Sequence, residues 1–228
     1  MTDHQPPTRR GLPSRPRRMM SVWLSLIAMV TTVPSVANLS YPILKGGDLR
    51  AWEQREFVGQ TAYRVIEDDQ VQVLEAIATA SASGHFKKVS VELGRYPTLR
   101  WRWRVDTPLS HQHVTDKSGD DFAARIYVVA RHPTWPWKTI ALCYVWSSGE
   151  SKKPWPNPYV GAVQVVPLRT RDDPIANWVE ESRDIAADFR TFFSLDIETV
   201  RAVGIMTDSD NTLTETSARY GDIVFEAK

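Results

Sequence analysis

Arg100, Arg102 and Arg104 alternate with Leu99, Trp101, Trp103 and Val105, a period of two that puts three guanidinium groups on one face of a strand and four apolar side chains on the other. A second stretch, Phe122 to Ala130, sets Phe122, Ala124, Ile126 and Val128 opposite Ala123, Arg125, Tyr127 and Val129. If the two strands pair, Arg100, Arg102, Arg125 and Tyr127, joined by Tyr144 and Trp146, line a cationic groove with aromatic edges. Guanidinium groups take carboxylates bidentately and rings stack on apolar sugar faces, so such a groove suits an anionic polysaccharide. The competing outcome is a solvated face whose arginines pair with acids across the sheet. Trp135, Trp137 and Trp155 sit in Pro-rich loops, where a stiffened ring loses little entropy on stacking against a ligand. They flank the expected groove, unless each indole folds back over a sheet edge.

Oxygen ligands cluster at Asp208-Ser209-Asp210-Asn211-Thr212, and Asp208, Asp210 and Asn211 form a candidate calcium site. The glycine and distant glutamate of an EF-hand loop are missing, and Asp and Asn also build turns without metal. Asp116, Asp120 and Asp121 form a second acidic knot, expected to hold Arg125 by ion pairing. His111 and His113 offer two further metal ligands if an aspartate supplies a third. There is no Gly-x-Ser-x-Gly, Walker loop, His-Glu-x-x-His or dinucleotide fingerprint. Cys143, the single cysteine, falls inside an apolar run and reads as a packed side chain. A set such as Arg125, Tyr127, Tyr144, His111 and Asp121 could converge as a lyase or glycosidase centre only in three dimensions.

The elements that must position these residues are mostly strands. Thr61–Ile66 and Gln70–Thr79 flank a hairpin-like Glu67-Asp68-Asp69, and Lys87–Leu93, Thr139–Trp146, Gly161–Leu168, Arg201–Thr207 and Tyr220–Ala227 add β-branched or aromatic runs. That makes about eight or nine strands. One segment, 177–190, has helical spacing, with Trp178, Ile185 and Phe189 on one side. Strands separated by turns rather than helices predict an antiparallel β-sandwich, jelly-roll-like, with that helix docked on it.

Of the 228 residues, 42% are hydrophobic and 24% charged, the balance of a chain that buries a core. The amino terminus reads as a cleavable leader. Five arginines precede the apolar run Met19–Val30, which is short of the ~20 residues that span a bilayer, and Ser35-Val36-Ala37 predicts cleavage after Ala37. Arg17-Arg18 lack the flanks of a twin-arginine signal, and no cysteine follows for lipid attachment. The expectation is a periplasmic or secreted domain over residues 38–228. Without the leader the charge falls from +1 to −3, against a broad basic nucleic-acid surface.

The stretches Tyr96–Trp103, Gly119–Tyr127, Tyr144–Trp146, Asn157–Tyr159, Met206–Thr212 and Tyr220–Ile223 resemble, in order, a bacterial family of exported proteins known as domain of unknown function 3047. The resemblance implies an exported β-sandwich related in shape to carbohydrate-binding modules and carries no catalytic residues with it. The residues themselves then favour a non-catalytic binder of a glycan or another envelope component that needs no cofactor. A polysaccharide-degrading enzyme on the same scaffold comes second and a structural envelope protein third.

Overall fold

The computed structural model describes residues 1–2, 40–111 and 113–228. The expected leader and its cleavage position fall outside the described residues. Residues 40–228 form two facing sheets. The first contains β1 (Ser40–Leu44), β3 (Ala62–Asp68), β4 (Val71–Thr79), β6 (Thr98–Thr107), β11 (Val179–Asp184) and β13 (Glu215–Glu226), in the order β11-β6-β13-β4-β3 with β1 also on β13. The second contains β2 (Glu53–Val58), β5 (Ala82–Glu92), β7 (Ala124–Arg131), β8 (Thr139–Trp146), β9 (Trp155–Pro156), β10 (Val163–Arg169) and β12 (Thr199–Asp208), in the order β2-β5-β12-β7-β8-β10-β9. The chain changes sheet from β1 to β2, β2 to β3, β4 to β5, β5 to β6, β6 to β7, β10 to β11, β11 to β12 and β12 to β13, which gives the sandwich its jelly-roll character. No helix among the described residues is long and apolar enough to cross a membrane.

The alternation in β6 does what it predicts: Leu99, Trp101, Trp103 and Val105 are buried against Ala124, Ile126, Val128, Leu142, Tyr144 and Trp146 of the opposite sheet. Trp101 meets Tyr144 at 5.3 Å between ring centroids and Trp103 meets Trp146 at 6.1 Å. Fully burying side chains of this size contributes roughly 1.5–3 kcal/mol each and supplies the main drive to close the sandwich.

Three details differ from the expectation. The β3–β4 turn is Asp69-Gln70, both with positive φ (51° and 65°), the backbone a two-residue hairpin with right-handed strand twist requires. The sheets are not wholly antiparallel, because β10 runs parallel to β8, reached through a crossover over residues 147–162. The helix is shorter than 177–190: Val179–Asp184 pairs with β6 as an edge strand, and only Ile185–Phe193 coils, as α1. The edge of β6 offers six residues a ladder of backbone partners that a free helix turn does not. Asp184 then caps the helix, accepting from the Ala187 N–H at 2.9 Å.

Candidate functional site

The two sheets send their outer faces in opposite directions, and this separates the residues of the expected groove. Arg100 and Arg102 lie on the outer face of the β6 sheet, whereas Arg125 and Tyr127 lie on the outer face of the β7 sheet. Tyr144 and Trp146 point into the core between the sheets and are buried. Trp155 is also buried, packed with Phe122, Cys143, Val145 and Val165 under the second sheet's outer loops. Trp135 and Trp137 are exposed, in the loop after β7. That loop begins seven residues past Arg125, about 23 Å along the strand, so these rings do not meet the Arg125 end of the sheet. The cationic groove therefore does not form.

Arg100 and its neighbours take the other course. Arg100 pairs with Glu226 at 2.7 Å and with Glu180, and the Arg102 guanidinium lies over the Trp178 ring at 4.6 Å. Arg104 and Arg219 converge on Asp68 at 3.4 and 3.1 Å, and Arg219 reaches Asp106 at 2.9 Å. Burial opposes charge on Asp68, but Arg219, Trp178 and Arg104 outweigh it and hold the carboxyl below the usual range.

The second sheet carries the concave feature. A cleft of about 460 Å³ lies on its outer face, with Arg125 and Asp208 on the floor, Phe86 and Tyr127 on one wall, and Phe57, Val58, Tyr159 and Val160 at the rim. The rim residues are more than 45% exposed, large apolar groups left open to water. Phe86 can lie close to the sheet because β12 has glycine beneath it. A Cβ on Gly204 would stand 2.4 Å from the ring. Tyr127 lies beside it with centroids 5.6 Å apart, so the two rings form a shelf along β5, β12 and β7.

The floor is polar and saturated. Arg125 is 2% exposed; its Nε donates to Asp208 Oδ1 at 2.8 Å, Nη2 donates to Asp208 Oδ2 and to the Asp120 carbonyl, and Nη1 donates to the Tyr127 hydroxyl at 3.2 Å. Burial pushes the Asp208 carboxyl up to about 7, against the pull of the guanidinium. Asp120 takes the Asn157 amide at 2.9 and 3.0 Å, which latches the 157–160 turn over the cleft. Asp121 accepts from Asn211 N, Asn211 Nδ2 and Thr212 N at 3.2, 3.0 and 2.6 Å. Burial raises its carboxyl, but these donors more than offset it, and the net direction is down. Burial and the neighbouring Asp121 push Asp210 up.

The acidic knot thus divides its work. Asp208, 83 residues from Arg125, is its main partner; Asp120 assists it, and Asp121 instead shapes the 208–212 turn. Carboxylate oxygens of Asp121, Asp208 and Asp210 lie within 4.8 Å of one another. The calcium set read from the sequence changes accordingly: Asn211 turns its amide to Asp121 and its Oδ1 to the Tyr159 hydroxyl at 2.9 Å, and Asp121 stands where Asn211 was expected. Two of the three carboxylates are already spent on Arg125 and on backbone N–H groups. Among the described residues His111 gathers no metal set; its Nε2 lies 2.8 Å from the Gly119 carbonyl, bracing the loop that carries Asp120. Burial pushes the Cys143 thiol up to about 12, which fits a packed side chain rather than a nucleophile.

Sequence reasoning missed Phe57, Val58, Phe86, Asn157 and Tyr159 as parts of one site. The signal available was an apolar Phe57-Val58 ending a strand that is otherwise polar, and Gly204 inside an apolar strand.

Three of the stretches that carry the family resemblance, Gly119–Tyr127, Asn157–Tyr159 and Met206–Thr212, meet at this cleft. The model of the family described as protein of unknown function (DUF3047) matches residues 50–224. No curated protein matches the chain. Among solved structures the sandwich is similar to the family 30 carbohydrate-binding module of a cellulosomal cellulase of Clostridium thermocellum, with 9% identity and a TM-score of 0.47 over 83% of this chain and 98% of that one. It is similar also to the xylan-binding module CBM15 (10%, 0.38, covering 83% and 97%) and to endoglucanase Cel12A from Rhodothermus marinus (10%, 0.40, covering 83% and 100%). Binding modules and a hydrolase stand side by side here, and these likenesses choose neither.

Proposed function

We propose that this chain, which belongs to the DUF3047 family of proteins of unknown function, binds a saccharide in the cleft over β5, β12 and β7 without cleaving it. The observation that carries the reading is the Phe86–Tyr127 shelf beside convergent hydrogen-bonding groups from Asp120, Asn157, Asp210 and Asn211. Flat apolar rings meet the C–H faces of a sugar, and carboxylates and amides take its hydroxyls. An anionic polysaccharide fits less well, because the one floor cation, Arg125, is consumed by Asp208 and Asp120. Export through the predicted leader would place the cleft in the periplasm or outside the cell, where such chains are met.

Cleavage would need two working carboxylates. Asp210 and Asp121 are shifted in opposite directions, a division that glycoside hydrolysis uses. Asp121, however, is fully buried and bonded to three N–H donors of the 208–212 turn, which removes it as a nucleophile or base. The test is a thermal-shift and calorimetric screen of the full chain against neutral oligosaccharides, with product analysis. A ligand that raises the melting temperature with no new reducing ends, and whose affinity drops about tenfold in Phe86→Ala, supports the proposal. New reducing ends would replace it with the enzyme reading.

A further inference from the structure

Charge is distributed unevenly around the cleft. Asp120, Asp208 and Asp210 line it and Asp121 lies behind them, against a single floor cation, Arg125, with both Asp208 oxygens on its guanidinium. Among the described residues Asp210 pairs with no cation; its carboxyl takes the Asn211 amide at 3.4 Å and otherwise faces the carboxyls of Asp121 and Asp208, all within 4.8 Å. It is a half-buried carboxylate at the cleft surface with capacity to spare.

A second, independent observation points the same way. Two exposed cations from separate parts of the chain lie on the cleft's aromatic rim: the Arg55 guanidinium over the Phe86 ring at 5.5 Å and the Lys117 ammonium over the Tyr159 ring at 5.2 Å. Both are long side chains whose heads could extend into water. They rest instead on ring faces that border an acid-rich floor, where the negative face of the ring and the field of the carboxylates act together. These rings are the surfaces a ligand must use, so the tethered heads occupy the place of a ligand's cation.

We infer that the ligand of this cleft is an amino saccharide, carrying a free, protonated amine that Asp210 receives, with Arg55 and Lys117 as built-in competitors for the rim. The inference rests on the saccharide reading above and names its class. A protonated amine supplies three donors to a site rich in acceptors, and its charge relieves the excess of carboxylates that a uronate would worsen. A neutral sugar fills the shelf but leaves Asp210 without a counter-charge.

The experiment is calorimetric titration of the full chain at about pH 6 with three β-1,4-linked probes of equal length: oligomers of glucose, of N-acetylglucosamine and of glucosamine. The expected result is tightest binding of the glucosamine oligomer, weakened as salt rises from ~0.01 to ~1 M while glucose-oligomer affinity holds. Asp210→Asn, nearly the same shape, should cost the glucosamine oligomer about fivefold more than it costs the neutral probes, and Arg55→Ala should strengthen the glucosamine oligomer about twofold. If a neutral probe binds as tightly as the amine, or if Asp210→Asn weakens all three alike, the inference falls and the saccharide reading stands. If no probe binds, both fall.

Discussion

Two outer faces of one sandwich each carry arginine on a strand whose other side is buried in the core, and they end differently. On the β6 face, Arg100 pairs with Glu180 and Glu226 of the flanking strands, and Arg104 pairs with Asp68 of the β3–β4 hairpin and with Asp106 of its own strand. On the β7 face, the loops 113–123, 157–162 and 209–214 fold over the sheet, so Arg125 is buried and must be matched group by group. The difference lies outside the strands. Open faces let charges pair loosely with water close by, and covered faces force a fixed partner and leave a cleft where the cover is incomplete.

The sharpest way to break this comparison is to remove one arginine from each face. Arg125→Ala strands the buried Asp208 carboxylate and should cost about 3–5 kcal/mol in urea unfolding. Arg100→Ala, on a side chain 41% exposed, should cost about 0–1 kcal/mol. Equal losses would show that the two faces are energetically alike and that the loops do not set the difference.

Next in size is the shelf. Gly204→Ala places a methyl against the Phe86 ring, with carbon atoms 2.4 Å apart before anything moves, so the ring must lift from the sheet. A cost of about 1–3 kcal/mol is expected, together with weaker saccharide binding. Gly161→Ala, where an added Cβ meets nothing, is the control and should change neither. An unchanged affinity in Gly204→Ala would show that the flat ring is packing alone.

These two faces were unequally legible in the sequence. The strands β6 and β7 could be read because one buried face imposes alternation, and β8 and β12 because cover on both faces leaves a continuous apolar run between turn residues, both local signals. β2 could not, since all six of its residues are exposed and nothing buried imposes a period. The reading of 177–190 as a helix failed in its first half because Val179, Glu181 and Arg183 also alternate, and the free edge of β6 decided between two patterns. The cleft was least visible. Arg125 with Asp208, Asp121 with Thr212 and Tyr159 with Asn211 are joined across 83, 91 and 52 residues. Composition places such groups in the chain, and only the order of strands brings them together.

Acid should probe the open face. The carboxyl of Asp68 is held below its usual range in the folded chain, so its contribution to stability is present above about pH 4 and is lost as pH falls through the lowered value. Stability followed by urea midpoint should therefore drop on acidification, and Asp68→Asn should flatten that drop while lowering the neutral-pH plateau. A pH slope identical in the variant would take Asp68, and with it the pairing of Arg104 and Arg219, out of the account of this face.

The smallest expected effect concerns calcium. Three carboxylates within 4.8 Å offer a dication an evident seat, but Asp208 is spent on Arg125 and Asp121 on three N–H groups. Binding calcium there would mean breaking a buried ion pair and the donors that shape the 208–212 turn, and only Asp210 could be recruited without loss. Melting with calcium and with chelator should accordingly differ by less than about 1 °C, within the scatter of the measurement. A shift of several degrees would mean that the covered face satisfies its acids with a metal rather than with its own arginine and turn. The contrast between the faces would then rest on a bound ion and not on the loops.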